Sequence, residues 1–145
     1  MDGSSRTGVV LYMAEVVIAA WTCKQKLVTK SACESEIVAL SDGCTMVLWA
    51  REWLIAQGYV SLGPTVIFQD NQGVLALMRN GRTAQQRTKH LNVRHFFIID
   101  SITKGELKLE YMPTSLMIAD LMTKPVNGRL FLNLRAKLLG DNTLE

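Results

Sequence analysis

Apolar and polar positions change their period several times along the chain, and each change marks an element. Residues 9–13 (Val-Val-Leu-Tyr-Met) and 16–23 (Val-Val-Ile-Ala-Ala-Trp-Thr-Cys) are β-rich runs joined only by Ala14-Glu15, a link short enough to demand an antiparallel hairpin. That pair lacks the Gly or Asn such a turn prefers, so the strand ends are expected within a residue or two of it. Ser31-Ala-Cys-Glu34 has the spacing of a capping box and starts a long helix. Ile37, Leu40, Cys44, Val47, Leu48, Leu54 and Ile55 form its apolar stripe, and Gly58 ends it. Gly43 inside it costs about 1 kcal/mol relative to Ala, which predicts a second backbone close by. Trp49 and Trp53, one turn apart, read as packing aromatics. Glu34 and Glu36 both fall in the first turn, where the helix dipole favours carboxylates; only Glu34 has the capping spacing, which leaves Glu36 for other work.

The short β-branched stretch from Thr65 runs through Val66, Ile67 and Phe68, continuously apolar as in a strand buried on both faces, and it stops at Asp70-Asn71 before a helix over 72–80 that Gly81 terminates. Asp70 thus sits at a strand tip, where the chemistry of open α/β sheets collects. The plainer alternative is that Asp70 or Asn71 only caps the helix. A polar, basic stretch, 81–90, leads into a second long helix running to Lys104 and capped by Gly105, with Leu91, His95, Ile98 and Ile102 as its stripe. Arg87, His90 and Arg94 recur on a neighbouring face, beside Lys89; the stripe is either a solvated face or a set of phosphate contacts. Glu106 to Met112 alternates strictly and predicts a strand wet on one face, ended by Pro113. Thr114 or Ser115 then caps a helical turn carrying Asp120, an acid in an otherwise apolar segment that requires a partner. Asn127 opens a last helix striped by Leu130, Leu134 and Leu138.

With 145 residues, 48% of them hydrophobic, one domain over 1–145 can bury a real core. The longest uncharged run, 53–69, is interrupted by Gln57, Gly58, Gly63 and Pro64 well short of a continuous apolar membrane span, and no signal-peptide pattern opens the chain, so an intracellular protein with no membrane partner is expected. Three cysteines without a Cys-x-x-Cys pair, and two histidines, argue against zinc or a disulfide framework. A net charge of +3 permits an anionic partner. Glu36, Asp70 and Asp120, each near a helix start or strand tip, can meet at one sheet edge. Carboxylates without a soft ligand suit Mg²⁺, or Mn²⁺ in its place.

Five motifs, taken in order, resemble the ribonuclease H domain of copia-type retrotransposon polyproteins. They are Ser31-Ala-Cys-Glu-Ser-Glu-Ile-Val-Ala-Leu40, Gln69-Asp-Asn-Gln72, Arg87-Thr-Lys-His90 with Arg94, Glu110-Tyr-Met-Pro-Thr114, and Ala119-Asp-Leu-Met-Thr-Lys-Pro125. The resemblance implies an α/β, RNase H-like fold with a mixed central sheet, an antiparallel hairpin plus parallel strands, flanked by helices. It also implies two-metal hydrolysis of the RNA strand of RNA/DNA hybrids. Glu36, Asp70 and Asp120 match the family's catalytic, metal-binding carboxylates, while Asn71, Gln72, Arg87, Lys89, His90 and Arg94 fall where nucleic acid is held. Family members begin with a further central strand that bears the first catalytic aspartate, whereas here the sequence opens in the loop after it, Asp2 to Gly8. Another chain or segment, such as the reverse transcriptase part of a polyprotein, is expected to supply that strand. The alternative function is an inactive remnant that binds nucleic acid or protein.

Overall fold

The computed structural model describes residues 5–27, 29, 31–60, 62–80 and 89–141. The hairpin forms as the apolar runs require: β1 (Arg6–Met13) pairs antiparallel with β2 (Val16–Lys24), with a register shift between Leu11 and Tyr12. Its turn falls at Ala14-Glu15, both left-handed at φ 48° and 67°, the conformation that a two-residue type I′ link imposes even without glycine. β1 begins three residues before the apolar run, so Arg6, Thr7 and Gly8, expected in a loop, are strand. Thr7 is fully enclosed, and Gln25 Nε2 donates to its hydroxyl at 3.2 Å and to the Ser35 carbonyl at 2.9 Å. That polar pairing stands in for the missing apolar signal.

Ser31 caps α1 (Ala32–Ala56) by accepting the Glu34 N–H at 3.2 Å. Glu36 lies just past the first turn, so of the two acids only Glu34 belongs to it. Ile37, Leu40, Cys44 and Val47 enter the core as the stripe predicts. Ile55, Trp49 and Trp53 do not: they are exposed, the last two by 67% and 51%, although Val47 and Ala50 on either side of Trp49 are buried. Gly43 meets the Val9 side chain, at 3.6 Å from where a Cβ would stand, rather than a second backbone.

β3 (Thr65–Gln69) and β4 (Leu107–Tyr111) pair in parallel, with α2 (Gln72–Asn80) and α3 (Lys89–Thr103) between them in sequence. β3 is not buried on both faces. Ile67 joins Leu107 and Leu109 against the core, while Val66 and Phe68 face outward beside the Lys108–Glu110 ion pair. The outward positions of β4 are those the alternation predicts to be wet. Gly81, expected to end α2, lies outside the described residues; Gly105, at φ 72°, follows α3 as expected. In place of one capped helical turn there are two 3-10 turns, Thr114–Leu116 and Ile118–Met122, the first preceded by Pro113 without a side-chain cap. α4 (Gly128–Leu139) closes the chain, burying Leu134 but leaving Leu130 exposed.

The result is mixed α/β, with two separate two-stranded sheets among the described residues rather than one mixed sheet. One helix crosses both. α1 touches β1 through Gly43 and reaches β3 at each end, through Glu36 to Gln69 and through Arg51, whose Nη1 donates to the Thr65 hydroxyl at 3.0 Å. On the opposite face of β1, Gly8 lets the second 3-10 turn come close. A Cβ there would stand 2.6 Å from Thr123 Cγ2 and 3.0 Å from the Ala119 carbonyl oxygen. Thr22, the cross-strand partner of Gly8, donates its hydroxyl to the Met122 carbonyl at 2.8 Å and pins the same turn.

Candidate active site

Glu36, Asp70 and Asp120 come from three elements that the core brings to one end of β3. Asp70 follows the strand directly, and its neighbours decide its role. Asn71, not Asp70, caps α2, its Oδ1 accepting the N–H groups of Gly73 at 2.9 Å and Val74 at 3.2 Å. Asp70 is therefore released from capping, and Thr114 donates its hydroxyl to Oδ2 at 2.9 Å. That bond joins the tip of β3 to the turn after β4, the turn that leads to Asp120.

Gln69 fixes the second carboxylate. Its side chain is buried; Oε1 accepts the Asn71 N–H at 3.0 Å, and this orients the amide so that Nε2 donates to Glu36 Oε2 at 3.4 Å. Burial first, and then the charge of Asp70, push the Glu36 carboxyl above its ordinary range, with a smaller push from Asp120; the Gln69 hydrogen bond and Lys124 act against them. Asp120 sits in the second 3-10 turn with its side chain only 14% exposed, and it has the partner its sequence context demanded. Lys124 Nζ lies 3.0 Å from Asp120 Oδ1. Burial opposes the charge on Lys124, but Asp120, Asp70 and Glu36 together outweigh it and hold the ammonium above its usual range.

The three acids thus share one electrostatic site. Their oxygen donors and their mutual repulsion suit a hard divalent cation. Among the described residues no three His, Cys, Asp or Glu side chains stand close enough to hold one ion in this arrangement. Gln69, Thr114 and Lys124 each engage one of the carboxylates instead. None of the three was expected to meet a carboxylate: Thr114 reads from the sequence as a helix cap, and the four-residue spacing of Asp120 and Lys124 was the one local signal among them.

The basic residues divide. Lys89 and His90 are exposed at the start of α3, and Arg87 lies outside the described residues. Arg94 is half-buried and committed to the scaffold, donating to Asp42 Oδ1 at 2.6 Å, while Asp42 Oδ2 accepts from the Thr7 hydroxyl at 3.4 Å. His90 and Arg94 line one shallow cleft between α1 and α3 with Ser41 and Thr45. Gln72 is exposed at the start of α2 beside the half-buried Asn71. No described helix is long and apolar enough to cross a membrane.

No family model matches the chain, and no solved structure does. The chain is 28% identical over 137 residues, 94% of its length, to the retrovirus-related Pol polyprotein from transposon RE1 of Arabidopsis thaliana, and equally to that from transposon RE2. It is 30% identical over 108 residues to the retrovirus-related Pol polyprotein from transposon TNT 1-94 of Nicotiana tabacum, a match covering 74% of the chain. It spans 9% of the length of the first two and 8% of the third. Its homologues are segments of transposon Pol polyproteins.

Proposed function

We propose that this chain is a retroelement-derived ribonuclease H-type domain that hydrolyses the RNA strand of RNA/DNA hybrids at Glu36, Asp70 and Asp120. The observation that carries the reading is the delivery of three carboxylates by a helix, a strand tip and a 3-10 turn, linked through the Gln69–Glu36 and Thr114–Asp70 hydrogen bonds, with Glu36 buried beside Asp70. Mg²⁺ or Mn²⁺, when bound, supplies activation of a water and stabilisation of the leaving oxygen. The chain's own residues hold and orient: Gln69 aims Glu36, Thr114 aims Asp70, and Gly8 lets the Asp120 turn dock on β1. Asn71 and Gln72 at the start of α2, with Lys89 and His90 at the start of α3, contact the hybrid backbone. Arg94 contributes through its accessible fraction, and Arg87 extends the same basic stretch. A further extended segment bearing an aspartate, from another part of a polyprotein, completes the carboxylate set.

The test is thermal melting with Mg²⁺ or Mn²⁺. An ion that binds only the folded state stabilises it by about 2.7 kcal/mol at a hundred times its dissociation constant. Asp70→Asn is expected to abolish that shift while leaving the metal-free melt intact. A metal response undiminished in Asp70→Asn removes this residue from the site. A wild-type chain that gives no metal response favours the alternative, a remnant that binds nucleic acid or protein.

A further inference from the structure

β4 has two edges, and β3 occupies one of them. The Thr65 N–H donates to the Glu106 carbonyl and the Met112 N–H to the Gln69 carbonyl, which in a parallel ladder commits the backbone of Lys108 and Glu110 to β3 and turns the N–H and C=O groups of Leu107, Leu109 and Tyr111 to the opposite edge. Among the described residues nothing pairs with that edge, because β3 is the one neighbour of β4. Beside it the surface is concave. Leu75 and Met78 of α2, Ile102 of α3 and Leu107 and Leu109 of β4 line an apolar cleft of about 350 Å³. Its charged lining residues are both cations, Arg79 and Lys108, and no carboxylate among the described residues lines it. Lys108 is answered by Glu110, whereas Arg79, exposed in the last turn of α2, meets no carboxylate among the described residues. Free backbone groups, an apolar cleft and a cation without a carboxylate thus stand side by side, and together they select one kind of occupant. An extended peptide brings its own donors and acceptors to the edge, and its two-residue period sends alternate side chains to one face.

We propose that the outer edge of β4 docks an extended, acidic and apolar peptide segment of a partner protein, which joins the sheet as an added strand. One apolar side chain of the segment enters the cleft over Leu107 and Leu109, and a carboxylate two residues away on the same face meets Arg79. The Lys108–Glu110 pair on the outward face acts as a filter, since charge on an edge strand disfavours indiscriminate pairing and leaves the cleft to decide which strand is accepted. Glu36, Asp70, Asp120 and the borders of β1 and β3 take no part, so this site stands whether or not the chain cleaves nucleic acid.

The test titrates the full chain with a dye-labelled octapeptide in which one leucine and one glutamate stand two residues apart among threonines, read by fluorescence anisotropy and by NMR amide exchange. Saturable binding with a Kd of about 1 mM or tighter is expected. Exchange at the Leu107, Leu109 and Tyr111 N–H groups should slow severalfold, while that at Lys108 and Glu110, already bonded to β3, barely changes. This alternation separates an added strand from a side chain that only fills the cleft. Arg79→Glu is expected to weaken the glutamate peptide severalfold and to strengthen a peptide with lysine in its place, a reversal that a misfolded variant cannot give. Absence of saturation in that range, protection without alternation, or affinities indifferent to the charge swap overturns the proposal. Protection of the same three amides that grows with protein concentration and needs no peptide assigns the edge to a second copy of this chain, and overturns it as well.

Discussion

Glu36 bears the electrostatic cost of the cluster, and that cost has a pH signature. Burial and then Asp70 raise its pKa in the folded state above the unfolded one. Between the two values the folded chain binds more protons, so stability declines as pH rises through that window and stays lower above it. Glu36→Gln is therefore expected to be more stable than wild type at pH 7 without metal, and equal to it in acid below the ordinary carboxylate range. Denaturant midpoints at the two pH values check both halves. Cys44 makes a second residue-scale prediction, because burial pushes its thiol up to about 12. At pH 8 a thiol reagent is expected to label the half-exposed Cys23 and Cys33 on the native protein and Cys44 only after unfolding, a change in stoichiometry that absorbance reads directly. At this scale the sequence exposes Asp70, since an apolar strand that halts on an acid announces its tip. It hides Gln69 and Thr114, whose partners stand 33 and 44 residues away, and only the local Asp120–Lys124 spacing was open to inspection.

Elements were legible where local chemistry decides them and misread where tertiary neighbours do. The Ser31 cap, the span of β3 and the helix over 72–80 follow from side chains bonding their own backbone or from an unbroken apolar run. The outward turn of Val66 and Phe68, and the bareness of Trp49 and Trp53, depend on what covers an apolar face, which periodicity cannot tell. Gly8 belongs with these. Its place in a Gly/Ser-rich stretch reads as loop, whereas the structure uses it as a strand position without a side chain, against which the Asp120 turn is pressed. Gly8→Ala drives a methyl to within 2.8 Å of Met122 Cβ as well as onto Thr123, contacts that only a shift of the turn relieves. It is expected to cost about 1–3 kcal/mol by chemical denaturation, as overpacking of close-fitted sites does. It should also weaken the metal-dependent melting shift, because Asp120 moves with the turn. A loss of stability with the metal shift intact would mean that the turn's docking does not position Asp120.

At the scale of the molecule, the two sheets explain each other. Gln25 N–H donates to the Ser5 carbonyl at 2.8 Å, so Thr7 and Val9 exchange hydrogen bonds with β2, and the backbone groups of Gly8 and Val10 point to the other edge of β1. In β3, the Thr65 N–H bonds to Glu106 and the Gln69 carbonyl to Met112, which turns the backbone of Val66 and Phe68 away from β4. No ladder joins these edges among the described residues, although α1 lies across both sheets. Exposed edges are a liability that folded proteins pair or cover, and a two-stranded parallel sheet is rare on its own. A further extended segment lying between β1 and β3 would satisfy both. Extending the chain ahead of β1 by a β-forming segment with one central aspartate is expected to raise the melting temperature by about 5 °C or more, a shift corresponding to ~1–2 kcal/mol in a domain of this size. With the bridging charge supplied, metal-dependent cleavage of an RNA/DNA hybrid should follow, and the same extension with Asn in place of Asp should fold equally well and cut nothing. Gel assays of a labelled hybrid beside melting curves separate the outcomes. An Asp-bearing extension that raises stability, binds Mg²⁺ and still leaves the hybrid whole would assign the chain to binding rather than hydrolysis. An extension that leaves the melt unchanged would mean that the two edges are not the borders of a strand site.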